Sequence, residues 1–445
     1  MVRNFIYVLL TLYIGISGKV LGQQQALDLA AVLEMAMDNN PVLKQFENQR
    51  SITDHQVKSA LSGWLPQLGM IGDYNRYFSQ PVAIFPDFNN PESGEFQEVR
   101  TGVPFNSSLS FSADQQLINN ELIRDRQQSS DQRKQADQLL EELKIDLTVV
   151  VTQTFYEVLL AQEQVSLTRE DLRRQQKQLE DAELLFEAGL TDQIDLKRAK
   201  MTLQNTQASL YQYQQDIEIR KAQLNALLGR PASSDLKLQA SYENLLMEIH
   251  ADTLQGFQPE QRIEYQLLQT QLALQDVALK YEKRRFLPTL SAFYNYNILF
   301  LSPVGSTLYE QAYPYSLMGI RLTYPLFQGG KRHHDSRIAA LRLRNLELEK
   351  TDLTNSISTE LQEALSTYKK QLYQLKTQEA NKQLAEEIYE ILSLQYEEGI
   401  KNFLEVIVAE TDLRTARINY YRSLFGVLTS KASLQRARGE IQLEP

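Results

Sequence analysis

The sequence predicts a mainly α-helical chain with a membrane β part. It is built as two copies of one unit, each holding helices, a strand pair and a long coiled-coil helical hairpin. Three observations carry this reading. First, the chain repeats at an offset of 210 residues: Phe186-Glu187-Ala188-Gly189-Leu190 matches Tyr396-Glu397-Glu398-Gly399-Ile400. The same shift takes Asp195 to Glu405, Ala199 to Ala409 and Gly229 to Gly439. Second, each copy carries heptad stripes, Val151, Val158, Val165, Leu172, Leu179 and Phe186 in one, Leu361, Tyr368, Leu375, Lys382, Tyr389 and Tyr396 in the other. A stripe follows each glycine as well, Leu196 to Leu224 and Val406 to Leu434 in steps of seven, so two hairpins of equal length should end at one level. Third, ahead of each hairpin the period drops to two, the mark of a strand with one wet face.

Composition narrows the function. The 445 residues carry a net charge of −10, and the pI near 5.2 argues against nucleic acid, which selects basic surfaces. A mean hydropathy of −0.39, with abundant glutamine, leaves most helical faces to water. The chain has no cysteine, which removes disulfides, thiol catalysis and cysteine-linked lipid anchors together.

The N-terminal residues 1–22 read as an export signal: Arg3 supplies the charge, Phe5 to Ile16 the apolar run, and Val20 and Gly22 the small residues before a cut near Gln23. The first repeat, 23–229, then opens with a short helix at Leu27 to Asn39, stopped by Asn40-Pro41. A second helix runs from Pro41 to the region of Trp64, where Leu65-Pro66 ends it. A strand pair occupies about 67–116. Leu68, Met70, Tyr74 and Phe78 form one face of its first strand, and Phe105, Leu109, Phe111 and Ala113 one face of its second. The hairpin fills 119–229, and its first helix, free of proline and glycine, should be roughly 100 Å long. Residues 230–258 form a connector of mixed short elements. The second repeat, 259–445, has a helix ending at Leu287-Pro288, a strand pair at about 289–326, a hairpin at 331–439 and a short tail. In its strands Leu290, Ala292, Tyr294, Tyr296 and Ile298 oppose Ser291, Asn295 and Asn297, and Met318, Ile320, Leu322 and Tyr324 oppose Gly319, Arg321 and Thr323.

The strand length matches the roughly 9–11 residues of a tilted membrane strand. Serine, asparagine and threonine on one face suit a wet lumen, and aromatics on the other suit lipid. The joining loops, Ser79 to Pro104 and Ser302 to Pro314, should be extracellular. Four strands do not close a barrel, and an open edge in hydrocarbon leaves backbone groups unpaired, so the chain must oligomerise to insert. Two or more protomers would satisfy that rule.

These residues resemble the TolC-like outer membrane factors, the exit ducts of tripartite efflux pumps and type I secretion systems. The pattern is an aromatic, a glycine three residues on, an acid six further, and an alanine four after that: Phe186, Gly189, Asp195, Ala199, then Tyr396, Gly399, Glu405, Ala409. Asn40-Pro41, Leu65-Pro66, Leu287-Pro288 and Tyr324-Pro325-Leu326-Phe327-Gln328-Gly329-Gly330 look like further landmarks of the family. The resemblance implies a homotrimeric TolC-like α/β-barrel, with four strands per protomer in a shared 12-stranded β-barrel above a periplasmic α-barrel. It implies an outer membrane location, contact with outer membrane lipid, and extension into the periplasm. It implies as partners a periplasmic adaptor (membrane fusion) protein and an inner-membrane RND, ABC or MFS transporter, with no cofactor.

The resemblance also implies that the turns at Gly189, Leu190, Gly399 and Ile400 meet the adaptor. By position, the relatives' periplasmic gate falls on Tyr396 with Asp195, and on Lys401, where relatives commonly have arginine; a lysine ties less firmly because it lacks the bidentate fork. A ring of Glu405 carboxylates would favour cations, although Val408 stands where some relatives have a second acid. The plainer reading of Asp195 and Glu405 is a charge at a helix N-terminus. Enzymatic function is not expected: there is no nucleophile elbow, phosphate loop or zinc spacing, and the adjacent His333 and His334 would point about 100° apart on a helix. The alternative to a duct is an exported coiled-coil scaffold that binds partners without a pore.

Overall fold

The computed structural model describes residues 26–86, 96–189, 191–249 and 258–441. The export signal expected at 1–22 and the turn residue Leu190 lie outside the described residues.

In chain order the elements are α1 (Leu29–Asn39), α2 (Pro41–Leu61), β1 (Gln67–Arg76), β2 (Val82–Pro86), β3 (Phe96–Arg100), β4 (Phe105–Ile118), α3 (Asn120–Glu187) and α4 (Gln193–Leu227). There follow α5 (Tyr242–Glu248), α6 (Ile263–Arg284), β5 (Thr289–Ser302), β6 (Ala312–Thr323), α7 (Lys331–Glu397) and α8 (Phe403–Arg438). Local chemistry sets the boundaries. Asp28 caps α1 by accepting from the Ala31 amide at 2.9 Å, and α2 begins at the proline that cannot continue α1. β6 stops at Thr323, ahead of Tyr324-Pro325, because proline removes a ladder donor.

The chain divides into two compact units. One takes Pro41–Asp146, Gln255–Ala364 and the residues from Gln435 onward, and holds the main sheet. The sheet has the order β1-β4-β5-β6, antiparallel throughout, with β1 and β6 as its two open edges. Register makes the faces. Met70, Phe111 and Tyr296 lie in one row, with the Phe111 and Tyr296 rings 6.5 Å apart, while Leu68, Ala113, Tyr294 and Met318 lie in the next. On the opposite face Ser112 pairs Asn295 and Ser110 pairs Asn297. The sheet is not packed on a dry interior: all of β1 is exposed, including Leu68 and Met70. β4 and β5 run to 14 residues each, longer than alternation alone marks out, and a bulge separates Gln116 from Ile118. The first loop also holds an antiparallel ribbon, β2 on β3, where the sequence marked only a joining loop.

In the same unit Arg262, at the start of α6, anchors a buried ion network. Its guanidinium donates to both Glu264 oxygens (2.9 and 2.7 Å), to Glu360 (3.0 Å) and to the Ala437 carbonyl (3.0 Å). Arg436 closes the circuit on Glu360 (2.7 Å) and on Asp146 of α3 (2.9 Å). Burial alone would raise the Glu264 carboxyl, but the Arg262 fork outweighs it and holds the group below its ordinary range. Four helices are thereby pinned by charge at one level of the unit.

The other unit takes residues up to Asn40, Leu147–Leu254 and Leu365–Leu434. Its core is the heptad seam: Val151, Val158, Tyr368, Leu224, Val427 and Leu434 are fully or almost fully buried. The positions three after the α3 stripe, Ala161, Thr168, Gln175 and Ala182, are buried too, so α3 packs on two sides. Tyr156 packs edge-on to Phe155 (5.6 Å) and tilted against Phe425 (6.0 Å). Asn40 donates to the Leu227 carbonyl at 2.8 Å, satisfying an orphan group at the end of α4.

Candidate functional site at the hairpin turns

Each hairpin reverses at a glycine in the left-handed region. Gly399 has φ +73°, its amide donates to the Tyr396 carbonyl (2.9 Å), and the Ile400 amide reaches back to Gln395 (2.8 Å). Those two bonds make a Schellman cap, which satisfies the last carbonyls of α7. Gly189 repeats the first bond, to Phe186 at 3.0 Å, with φ +69°. A Cβ built on either glycine would meet no atom within 4 Å, so only the backbone conformation demands glycine. The turns are therefore open to a partner.

Beyond each glycine the next helix starts with a side-chain cap. Asp192 accepts from Ile194, and Asn402, 210 residues on, accepts from the Glu405 amide at 3.1 Å. Asp195 and Glu405 thus both sit in the first turn, where the helix dipole favours a carboxylate. Asp195 accepts from the Thr191 hydroxyl at 3.0 Å. Lys401 pairs with Glu405 at 2.7 Å within its own hairpin, a half-exposed contact worth about 0.3–0.5 kcal/mol. Tyr396 joins the two hairpins: with Leu179, Leu196 and Ile407 it packs on a buried cluster of Ala182, Ala199 and Phe403. Its ring lies 5.8 Å from that of Phe403. Burial, then the nearby Asp195 and Asp181 carboxylates, push its hydroxyl up, so the group stays protonated and available as a donor. The arrangement brings Lys401 to Glu405 and Tyr396 near Asp195; Ile400 is solvent-facing.

The chain matches known proteins both in sequence and in fold. The model of the outer membrane efflux protein family matches residues 32–230 and 263–440. The chain belongs to that family. The proteases secretion protein PrtF of Dickeya chrysanthemi is 24% identical over 424 residues, covering 92% of this chain and 87% of PrtF. The crystal structure of CusC, described as a transmembrane channel, superposes with a TM-score of 0.75 at 17% identity, over 92% of this chain and 91% of that one. The outer membrane channel CmeC of Campylobacter jejuni gives 0.73 at 18% identity, over 93% and 85%. The fold is the TolC-like α/β-barrel fold of outer membrane channels. This efflux-family chain is an outer membrane exit duct for efflux or secretion, reaching into the periplasm, and the pore-less scaffold is not favoured.

The efflux-family chain also holds side chains that sequence reasoning passed over. Arg174 on α3 donates to Asp171 and, at 3.2 Å, to Glu410 on α8, and lies 6.0 Å from the Tyr389 ring of α7. Asp171 and Glu410 are each 2% exposed, and Asp171 Oδ2 and Glu410 Oε2 have no hydrogen-bond partner among the described residues. Burial pushes both carboxyls up, outweighing Arg174. Glu410 stands four after the stripe residue Val406, on the packed face, which was the available signal. Phe403, buried at the turn, was marked only by following Asn402. Among the described residues no group of three His, Cys, Asp or Glu could hold a metal ion.

Proposed function

We propose that three copies of the chain form a passive homotrimeric conduit, with twelve strands in a shared barrel and with Tyr396, Asp195, Lys401 and Glu405 lining its periplasmic gate. The observation that carries this is the open sheet: β1 and β6 each expose one edge, and closing a ring of like sheets is how a membrane strand satisfies its backbone. The turns that carry Gly189, Leu190, Gly399 and Ile400 would receive a periplasmic adaptor, and an inner-membrane RND, ABC or MFS transporter would supply the energy. Conduction along a polar wall breaks no bond, so no catalytic residue is assigned. The names of PrtF, a proteases secretion protein, and of the efflux protein family support an exported cargo, and a polar wall suits a drug, a metal ion or a protein alike.

The test is conductance in planar bilayers. Glu405→Gln should weaken cation preference, and Tyr396→Phe with Lys401→Gln should raise open probability by loosening the gate. Unchanged selectivity in the first variant removes the acid ring. Unchanged gating in the second removes the gate assignment.

A further inference from the structure

The two repeats are alike in backbone and unlike in charge where strands meet helices. In the first repeat the eight residues ending at Leu65, together with the first eight of α3, carry three basic side chains (Lys58, Arg124, Arg126) against two acids. In the second, the eight residues ending at Leu287 and the first eight of α7 carry seven basic side chains against two acids. This lies in a chain whose net charge is −10. The fold works at the first junction without the added cations, so folding does not require them at the second.

Contacts bring the cations into one patch. Arg285 at the end of α6 donates to Asp335 on α7 at 2.9 Å, and Arg332 lies 5.2 Å over the Phe286 ring. Asp335 Oδ2 takes a second cation, since Lys331 also binds it at 2.7 Å. Lys283, Arg284 and Arg332 are exposed and have no ion pair among the described residues. Beside them the apolar face of the sheet continues past its last strand: Leu322 is 66% exposed, Leu326 89% and Phe327 88%. The strand ends here are those joined to the helices, hence the periplasmic ends. Unpaired guanidinium and ammonium groups bordering an apolar, lipid-facing surface match a layer of phosphates above acyl chains.

We infer that the junction of α6 with α7 is a seat for anionic phospholipid headgroups of the periplasmic leaflet, with Lys283, Arg284 and Arg332 as the phosphate ligands, Lys331 adding charge beside them from its bond to Asp335, and Leu326 and Phe327 lying among the acyl chains. Arginine holds a phosphate through two parallel bonds and lysine through a point charge, so the seat selects a charged headgroup over a zwitterionic one. The seat rests on the outer membrane location and not on the proposed gate.

The experiment uses the full-length protein in an uncharged detergent, titrated with phosphatidylglycerol or with phosphatidylcholine of the same acyl chains. Bound lipid is counted by native mass spectrometry and the thermal midpoint is recorded. Wild type should retain phosphatidylglycerol about tenfold more than phosphatidylcholine, with a higher midpoint, and 0.5 M-class salt should erase the difference. Lys283→Gln/Arg284→Gln/Lys331→Gln/Arg332→Gln should lose the preference, while Lys369→Gln/Lys370→Gln, an exposed basic pair far along α7, should keep it. Equal retention of the two lipids by wild type overturns the inference, and this measurement stands even where the quadruple variant fails to fold. An undiminished preference in the quadruple variant, or an equal loss in the Lys369/Lys370 control, overturns it as well.

Discussion

At the scale of single residues, two buried charge clusters give opposite responses to pH. Arg262 satisfies its guanidinium through Glu264, Glu360 and the Ala437 carbonyl, so Arg262→Ala strips the part-buried Glu264 of its fork, while Glu360 keeps Arg436. The loss should be about 1–3 kcal/mol in denaturant unfolding. Arg262→Lys should recover only part of it, because an ammonium does not reproduce the fork. Glu264, with its folded pKa depressed below the ordinary 4.5, gives stability that is present above that value and fades as pH falls through the depressed one. Glu410 and Asp171 run the other way. Their folded pKa values are raised, so the folded state binds protons more tightly than the unfolded chain, and stability falls as pH climbs above the ordinary carboxylate range through the raised values. Glu410→Gln should therefore raise the thermal midpoint at pH 7.5 more than at pH near 4, and flatten its slope between them. A midpoint that drops equally at both pH values would show that the ionised Glu410–Arg174 pair is a net stabiliser. Little of either cluster was legible beforehand: Asp171 and Arg174, spaced three apart, look like one more solvated helix face, and Glu410, though its place four after Val406 marks it as packed, meets them only where α8 lies on α3.

At the scale of elements, the glycine turns and the sheet give separable predictions. Gly399→Ala places a Cβ in open space but leaves φ at +73°, so the cost should be the backbone term of about 1–2 kcal/mol, seen as faster hydrogen exchange in the last turn of α7. Gly319 is the contrary case. A Cβ there would stand 2.9 Å from the tip of the Phe293 ring, which itself lies 4.9 Å under Arg321. Gly319→Ala should cost about 1–3 kcal/mol, and Phe293→Ala in the same chain should recover part of it, a coupling that a double-mutant cycle measures. The strands were legible because serine and asparagine alternate with aromatics over long stretches. The β2–β3 ribbon was not, because Val82-Ala83-Ile84-Phe85 is apolar without alternation and sits between prolines. Cap residues were partly legible: the equivalence of Asp192 and Asn402 follows from the 210-residue shift, whereas the hydroxyl bond from Thr191 to Asp195 does not.

At the scale of the molecule, the duplication was the most readable property, because a period survives substitutions that erase individual motifs. It placed both turns and the helices around them, whereas the strand pairs came from the period of two and the Leu-Pro stops from proline. It says nothing of surface charge, and the strongly basic second junction departs from the nearly balanced first. The open sheet carries a genetic corollary. β1 and β6 differ in sequence, so each copy would meet its neighbour head to tail, and every ring contact would use one edge from each of two chains. A proline at the centre of β6 would then poison rings that contain it. With equal co-expression and random mixing, only about one three-membered ring in eight would be wholly wild type. Export through the duct in such a strain should fall well below the half expected from gene dosage, marking the allele as dominant.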